Sequence, residues 1–209
     1  MLFQILLAFT IATVVSAIGT LPPATINVSV LQLAIRKKQK MALQLATGAA
    51  LIDLIYTALS LEIGELLETQ EWLTAYFQLI SAIVLAVLGV ASILAAFHQT
   101  VKKEQFKFVE SGFIRGVLLG VFNPLVMPFW LAITTYLKSN QILELGGFLA
   151  ISFLIGTFIG ELGVLIMIVK LGKQFTKFSE NKWVVGIVPG ILFIVLGIIS
   201  VVQYLLITE

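Results

Sequence analysis

Long apolar stretches alternate with short polar and charged clusters along the whole chain. Interpreted as helices, these stretches predict six spans, each long enough to cross about 30 Å of hydrocarbon at about 1.5 Å per residue. The predicted spans are residues 2–35, 41–61, 72–97, 113–137, 143–169 and 183–207. Because little sequence is left between them, the pattern predicts one all-α integral membrane domain over residues 1–209.

Two of the six spans are interrupted where an apolar helix should be continuous. Pro22 and Pro23 fall inside the first span, and Asn123 and Pro124 fall inside the fourth. A lone proline in a membrane helix is often a tolerated kink, whereas paired breaks favour half-helices that begin inside the membrane. We expect one half-helix to restart at Pro22 or Pro23. In the fourth span, Asn123 is expected to be the N-cap of a helix whose first residue is Pro124.

The second and fifth spans each contain one acidic residue far from the span ends, Asp53 and Glu161. By the helical rise, Asp53 lies about 20 Å from Lys40, and Glu161 lies about 14 Å from Lys170. A charge at the bilayer centre costs at least about 2.5–3.5 kcal/mol, so such an acid is a functional candidate. The alternative is a structural acid that pairs with a Tyr or Thr hydroxyl.

One break and one central acid fall in each half of the chain, about residues 1–100 and 110–209. This arrangement predicts a 3+3 inverted repeat of six transmembrane helices in which spans one and four are broken. Tyr56 and Thr57 follow Asp53 by about one turn, and Thr157 precedes Glu161 by one turn, so these residues are predicted as supporting polar groups.

The half-helix N-termini would present free N–H groups to a carboxylate, while the two acids would hold an ammonium group or a coupling proton. The residues predicted to bind substrate are Pro22, Pro23, Thr25, Asn27, Asn123 and Pro124. Asp53 and Glu161 are predicted to couple protons or bind the ammonium group. An apolar wall for specificity is expected from Phe122, Met127, Phe129 and Trp130.

Composition agrees with a polytopic membrane protein. Of the 209 residues, 59% are apolar and 11% are charged, and the mean hydropathy is +1.08. The chain has no Cys and one His, which excludes disulfides, thiolate catalysis and a multi-histidine metal site. We expect no cofactor, no metal and no enzymatic activity. The net charge of +2 gives no reason to expect a nucleic-acid partner.

Basic residues orient the chain. They cluster after span one, between spans three and four, and between spans five and six, whereas Lys138 falls on the opposite face. The clustered residues are Arg36, Lys37, Lys38, Lys40, Lys102, Lys103, Lys107, Arg115, Lys170, Lys173, Lys177 and Lys182. By the positive-inside rule these loops are cytoplasmic, which predicts an inner-membrane protein with both termini outside.

Glycines repeat at four-residue spacing in three spans. They are Gly112, Gly116 and Gly120, then Gly156 and Gly160, then Gly186 and Gly190. Small residues at this spacing allow close helix approach, so we interpret them as packing contacts within the chain or in a homodimer.

The residues that carry chemistry resemble a known family. The segments 19–27 (GTLPPATIN), 47–53 (TGAALID) and 116–130, around Asn-Pro, are similar to those of the LysE/RhtB family of small-metabolite exporters. The family's Pro-Gly-Pro is Pro22-Pro23-Ala24 here, and its Asn-Pro-Lys is Asn123-Pro124-Leu125. Asp53 corresponds to an acidic position that is common in the second span of similar chains.

The resemblance implies efflux of amino acids or related solutes by proton antiport, with Pro22, Asn123 and Pro124 in the central site. Because Leu125 stands where the family has Lys, the site has no cation there, and we expect a neutral zwitterion rather than a dianion. A non-transporting assembly protein or a lipid-handling membrane protein remains the alternative. It would keep the spans and glycine contacts but would leave the central acids unexplained.

Overall fold

The computed structural model describes residues 2–22, 24–68, 71–97, 109–123, 125–179, 183 and 187–208. Within these residues the regular structure is helical and no strand occurs, which confirms the all-α class. The eight helices are α1 Leu2–Thr20, α2 Thr25–Ile35, α3 Gln39–Glu68, α4 Glu71–Phe97, α5 Gly112–Val121, α6 Val126–Ser139, α7 Phe148–Ser179 and α8 Val188–Thr208. Several residues singled out in the sequence lie outside the described residues: Pro23, Pro124, Gly186, Lys102, Lys103, Lys107 and Lys182.

Several helices are suited to a bilayer by length and composition. The segments Leu2–Thr20, Gln39–Gly64 and Phe148–Gly172 are each long and apolar enough to cross it. Helices α5 and α6 form a further candidate, bent by 62° at the break between them. Three shorter apolar helices, Thr25–Ile35, Ala82–Leu94 and Val188–Val202, complete the apolar segments of the described chain. The architecture is that of a multi-pass membrane protein.

Both predicted breaks are present, but the helices restart later than expected. After the first break the helix begins at Thr25 with Ala24 as N-cap, and not at Pro22 or Pro23. After the second break, α6 begins at Val126 with Leu125 as N-cap, so Asn123 is not the N-cap. At the second break Asn123 accepts the N–H of Leu125 and closes a turn ahead of the helix. At the first break Asn27, the third residue of α2, accepts the N–H of the N-cap Ala24 and so fixes the helix start there.

The helices pack in corresponding pairs. Helix α1 packs along α7 as α5 packs along α3, and α2 contacts α7 as α6 contacts α3. Helices α3 and α7 also contact each other, and α4 packs along α8. The two helices that contain the central acids therefore lie at the centre of the bundle.

Glycines lie at the closest helix crossings, as the four-residue spacing predicts. A Cβ added at Gly116 would clash with the backbone of Leu45, and one at Gly160 would clash with the backbone of Thr13. Gly112, Gly120 and Gly156 likewise face atoms of the neighbouring helix. Gly190 meets Gly89, because a Cβ on either would lie 2.7 Å from the other's carbonyl oxygen.

One basic residue lies elsewhere than predicted. Ser111 accepts the N–H of Ile114 at 3.4 Å and caps α5, so the helix begins at Gly112. Arg115 therefore falls inside α5, and it is only 4% exposed. It belongs to the helix bundle and not to the basic loop.

Candidate functional site

A cavity of about 270 Å³ lies between the two helix breaks. All eight helices contribute to its lining. The polar side contains Pro22 and Asn27 from the first break, Asn123 from the second, and both central acids, Asp53 and Glu161. The structure thus brings together residues that are up to 139 positions apart in the sequence (161 − 22).

The first break is organised by the side chain of Asn27. Its Nδ2 donates to the carbonyl oxygens of Thr20 and Pro22, both at 2.7 Å. Its Oδ1 accepts the N–H of Ala24 at 2.7 Å and that of Val28 at 3.0 Å. The amide therefore satisfies the backbone groups that the interruption of the helix leaves unpaired. Although Asn27 lines the cavity, its hydrogen-bonding capacity is used by the protein.

The second break is joined to a different helix. Tyr56, on α3, donates its hydroxyl to the carbonyl oxygen of Val121 at 3.0 Å, at the end of α5. Asn123 Oδ1 accepts the N–H of Leu125 at 3.3 Å. Among the described residues Asn123 Nδ2 makes no hydrogen bond, so this donor remains available at the cavity wall.

The two central acids face each other from α3 and α7. Trp130 donates its indole N–H to Asp53 Oδ1 at 2.7 Å. Glu161 is 6% exposed, and its Oε2 is buried without a hydrogen-bond partner in the described structure. The two carboxyl groups are close enough to interact electrostatically. Within the described chain, no group of three or more His, Cys, Asp or Glu side chains could hold a metal ion.

Aromatic rings form an apolar side of the cavity. Trp130 meets Phe129 edge to face, with ring centroids 5.1 Å apart, and Phe129 meets Phe193 in the same way at 5.6 Å. Phe129, Trp130 and Phe193 all line the cavity, as does Leu88 from α4. This side is therefore apolar and rigid.

The sequence model of a family described as LysE type translocator matches residues 17–203. The chain belongs to this family. Members are transporters and not enzymes, and the family supports export of amino acids or small metabolites. No curated protein and no solved structure matches the chain.

Several predicted site residues of this LysE type translocator lie away from the cavity lining. Thr57 donates its hydroxyl to the carbonyl oxygen of Asp53 at 2.8 Å, and Thr157 donates to that of Phe153 at 3.1 Å, so both bond to their own helix. Thr25 begins α2, and Tyr56 bonds to the second break. None of these four threonine and tyrosine side chains lines the cavity.

The predicted apolar wall is partly different in the transporter. Phe129 and Trp130 line the cavity, but Phe122 is 67% exposed and Met127 lies outside the lining, so both are corrections. Because α6 begins at Val126, Phe122 belongs to the turn before it and not to its cavity face.

The transporter also uses residues that the sequence did not single out. Leu88 and Ser92 on α4, and Phe193 on α8, line the cavity. Ser92 is 6% exposed, and among the described residues its hydroxyl makes no hydrogen bond. Buried helical hydroxyls elsewhere, such as that of Thr134, bond one turn back along the helix. A serine that faces the cavity without this bond is a signal that only the structure reveals.

Proposed function

We propose that this translocator is a secondary exporter of a small zwitterionic solute, such as a neutral amino acid or a derivative, and that it exchanges the solute for protons. The observation that supports this most is the single cavity that joins both helix breaks to the acid pair Asp53 and Glu161. Its volume of about 270 Å³ lies near the lower limit of ligand pockets, about 300 Å³, and so favours a small solute over a lipid.

The polar groups of the cavity match the two charges of a zwitterion. Asn123 Nδ2 and the N-terminus of α6 offer donors and a partial positive charge to a carboxylate. Asp53 and Glu161 offer carboxyl groups to an ammonium group or to the coupling proton. No Lys or Arg is present among the described lining residues, so a dianionic solute would find no compensating cation.

The paired helix contacts support alternating access. The match between the α1–α7 and α5–α3 pairs, and between the α2–α7 and α6–α3 pairs, is what an inverted repeat of two three-span halves requires. In the proposal, α1–α2 and α5–α6 are the broken spans, and one half rocks against the other around the cavity.

The proposed topology places the basic loops in the cytoplasm and both termini outside the inner membrane. Because the chain has no Cys, single cysteines can be introduced at Lys38 and at Ile142, which are both exposed and which the proposed topology assigns to opposite faces of the membrane. In intact cells an impermeant thiol reagent is expected to label position 142 and to spare position 38. The reverse pattern would contradict the orientation.

Flux in sealed vesicles tests the function. Purified protein in proteoliposomes is loaded with radiolabelled L-alanine, L-serine or L-leucine, and efflux is followed with and without an inwardly directed proton gradient. We expect efflux of at least one of these zwitterions to accelerate with the gradient. Protein-free liposomes are the control, and a lack of protein-dependent flux for all three would contradict the proposal.

A further inference from the structure

The two acids of the cavity have different surroundings. Asp53 Oδ1 accepts the indole N–H of Trp130 at 2.7 Å. Glu161 Oε2 is buried with no such donor in the described structure, and the Glu161 carboxyl group lies within interaction range of that of Asp53. An indole N–H can only donate, so it stabilises a carboxylate oxygen that carries no proton. The bond therefore favours Asp53 as the ionised member of the pair.

Trp130 itself is held rigidly. The residue is only 1% exposed, and its ring packs edge to face against Phe129 at 5.1 Å and against Phe153 at 5.7 Å. Phe153 lies on α7, about two turns before Glu161. The indole thus belongs to α6, bonds to α3 and packs against α7. This packing fixes the direction of its N–H toward Asp53.

Asp53 and Glu161 are the titratable groups in the described lining of the cavity. Tyr56 and Arg115 lie outside this lining, and the Tyr56 hydroxyl donates to the Val121 carbonyl. Two carboxyl groups in contact inside a protein repel when both are ionised, so the empty pair is expected to hold one proton. With Asp53 kept ionised by Trp130, that proton is on Glu161.

We infer that Trp130 is a positioning residue that gives the two acids different roles. Asp53 is the fixed carboxylate that binds the solute's ammonium group. Glu161 is the group that takes up and releases the coupling proton. This inference rests on the proposed function.

Charge balance gives the division a mechanism. With the proton on Glu161 and no solute, the pair has one net negative charge. With the proton released and an ammonium group bound, the pair and the ammonium together again have one. The acid pair together with the ammonium group therefore gains no net charge when solute replaces the proton. The solute's carboxylate, which adds one negative charge to the cavity, is met by Asn123 Nδ2 and the partial positive charge of the α6 N-terminus. The released proton goes to the cytoplasmic side when solute binds, and a new one is taken up outside when solute leaves.

The test compares three variants of the full chain in proteoliposomes: Glu161→Gln, Asp53→Asn and Trp130→Phe. Two fluxes are measured for radiolabelled L-alanine, L-serine and L-leucine, namely solute–solute exchange without a gradient and efflux driven by a proton gradient. Glu161→Gln is expected to retain exchange within about threefold and to lose the response to the gradient. Asp53→Asn is expected to lose both fluxes.

Trp130→Phe preserves an aromatic ring but removes the N–H donor. We expect its KM for exchange to rise about tenfold with little change in maximal rate, because a hydrogen bond to a charged group is worth about 1.5–3 kcal/mol. In this variant the pH profile of exchange is expected to shift to higher pH, because the ionised form of Asp53 has lost its hydrogen-bond donor. Trp183→Phe, at an exposed indole outside the cavity, is the matched control and should leave the profile unchanged.

Several outcomes would overturn the inference. An unchanged pH profile in Trp130→Phe, with only the melting temperature or maximal rate altered, would make Trp130 merely structural. If Trp130→Phe does not fold, the comparison of Glu161→Gln with Asp53→Asn decides, and equal behaviour of these two would overturn the division. If the two variants behave alike but the unaltered protein shows gradient-driven flux, the proposed function stands and only the inference fails. If the unaltered protein shows no flux at all, the proposed function and the inference both fail.

Discussion

The two helix breaks are stabilised in different ways. The first break is closed from within its own segment, since Asn27 alone bonds to Thr20, Pro22 and Ala24. The second break depends on α3, where Tyr56 donates its hydroxyl to the carbonyl oxygen of Val121. The first break is therefore a self-contained turn, whereas the second is joined to the helix that contains Asp53.

Because of this difference, we expect the two breaks to have different roles. At the first break the asparagine amide is fully used, so it supports the backbone and has no free donor for a solute. At the second break Asn123 Nδ2 makes no hydrogen bond among the described residues. We therefore expect a solute carboxylate to bind at the second break. Since Tyr56 and Asp53 lie on the same helix, the carboxylate and ammonium sites would move together.

The largest effect is expected from Asn27→Ala. The variant leaves the Thr20 and Pro22 carbonyl groups and the Ala24 N–H without their partner in a partly buried setting, and each such group costs about 1 kcal/mol or more. We expect the free energy of unfolding to fall by about 3 kcal/mol or more. Thermal unfolding of the detergent-purified protein, or its yield in the membrane fraction, measures this loss.

Asn123→Ala is the matched variant at the second break. It loses a single protein hydrogen bond of 3.3 Å, so stability should fall by no more than about 1 kcal/mol. Equal losses of stability in the two asparagine variants would remove the distinction between the breaks.

A second prediction concerns ligand binding, which Asn123→Ala should weaken more than Asn27→Ala does, whereas stability should follow the opposite order. Ligands that bind the folded state raise the melting temperature in proportion to their affinity. L-alanine, L-serine and L-leucine are each compared with their carboxamides. In the unaltered protein the acids should stabilise more than the amides, and Asn123→Ala should lower the affinity for the acids about tenfold, as loss of a charge-assisted hydrogen bond requires. Equal stabilisation by acid and amide would exclude a carboxylate site there.

A third, smaller effect is expected from Tyr56→Phe. The variant keeps the ring and removes the hydroxyl that donates to Val121, which should lower stability by about 1 kcal/mol. It should also reduce the maximal rate of exchange a few-fold, because the second break and α3 are no longer joined at this point. Tyr136→Phe is the control, since the Tyr136 hydroxyl makes no hydrogen bond among the described residues. Identical rates in both variants would show that the α3 bond has no part in transport.

The sequence was sufficient to predict the all-α membrane class and the presence of both breaks, whereas the depth of both acids in the membrane stays a prediction. These features follow from local chemistry: proline has no N–H, and an acid in an apolar stretch is costly wherever it lies. The family resemblance drawn from the Pro-Pro and Asn-Pro segments is confirmed. The prediction that the six spans form a 3+3 repeat stays a prediction that the paired helix contacts support.

Other features depend on tertiary contacts that a single sequence does not encode visibly. The sequence did not indicate that Trp130 would bond to Asp53, 77 residues away, because a tryptophan in an apolar helix also fits a membrane core. Phe193 and Leu88 lie within uninterrupted apolar stretches with no charged residue near them, so no local signal marked them. The sequence predicts that Asn27 binds substrate, whereas its amide bonds to the backbone of the first break. Spacing along the chain does not indicate which partners an amide has.

The smallest effect, and the sharpest probe of the part of the cavity wall that α4 contributes, is expected from Ser92→Ala. Because the Ser92 hydroxyl bonds to no described residue, its removal should change the free energy of unfolding by less than about 0.5 kcal/mol. A few-fold change in relative affinity among L-alanine, L-serine and L-leucine is expected instead, since the wall becomes wholly apolar and small changes in a pocket are worth about 1–3 kcal/mol. Ser200→Ala, whose hydroxyl bonds within α8 at 3.0 Å, is the control and should leave the ranking unchanged. Competition by the three amino acids for exchange measures the ranking, and an unaltered order in Ser92→Ala would mean that the solute's side chain does not reach α4.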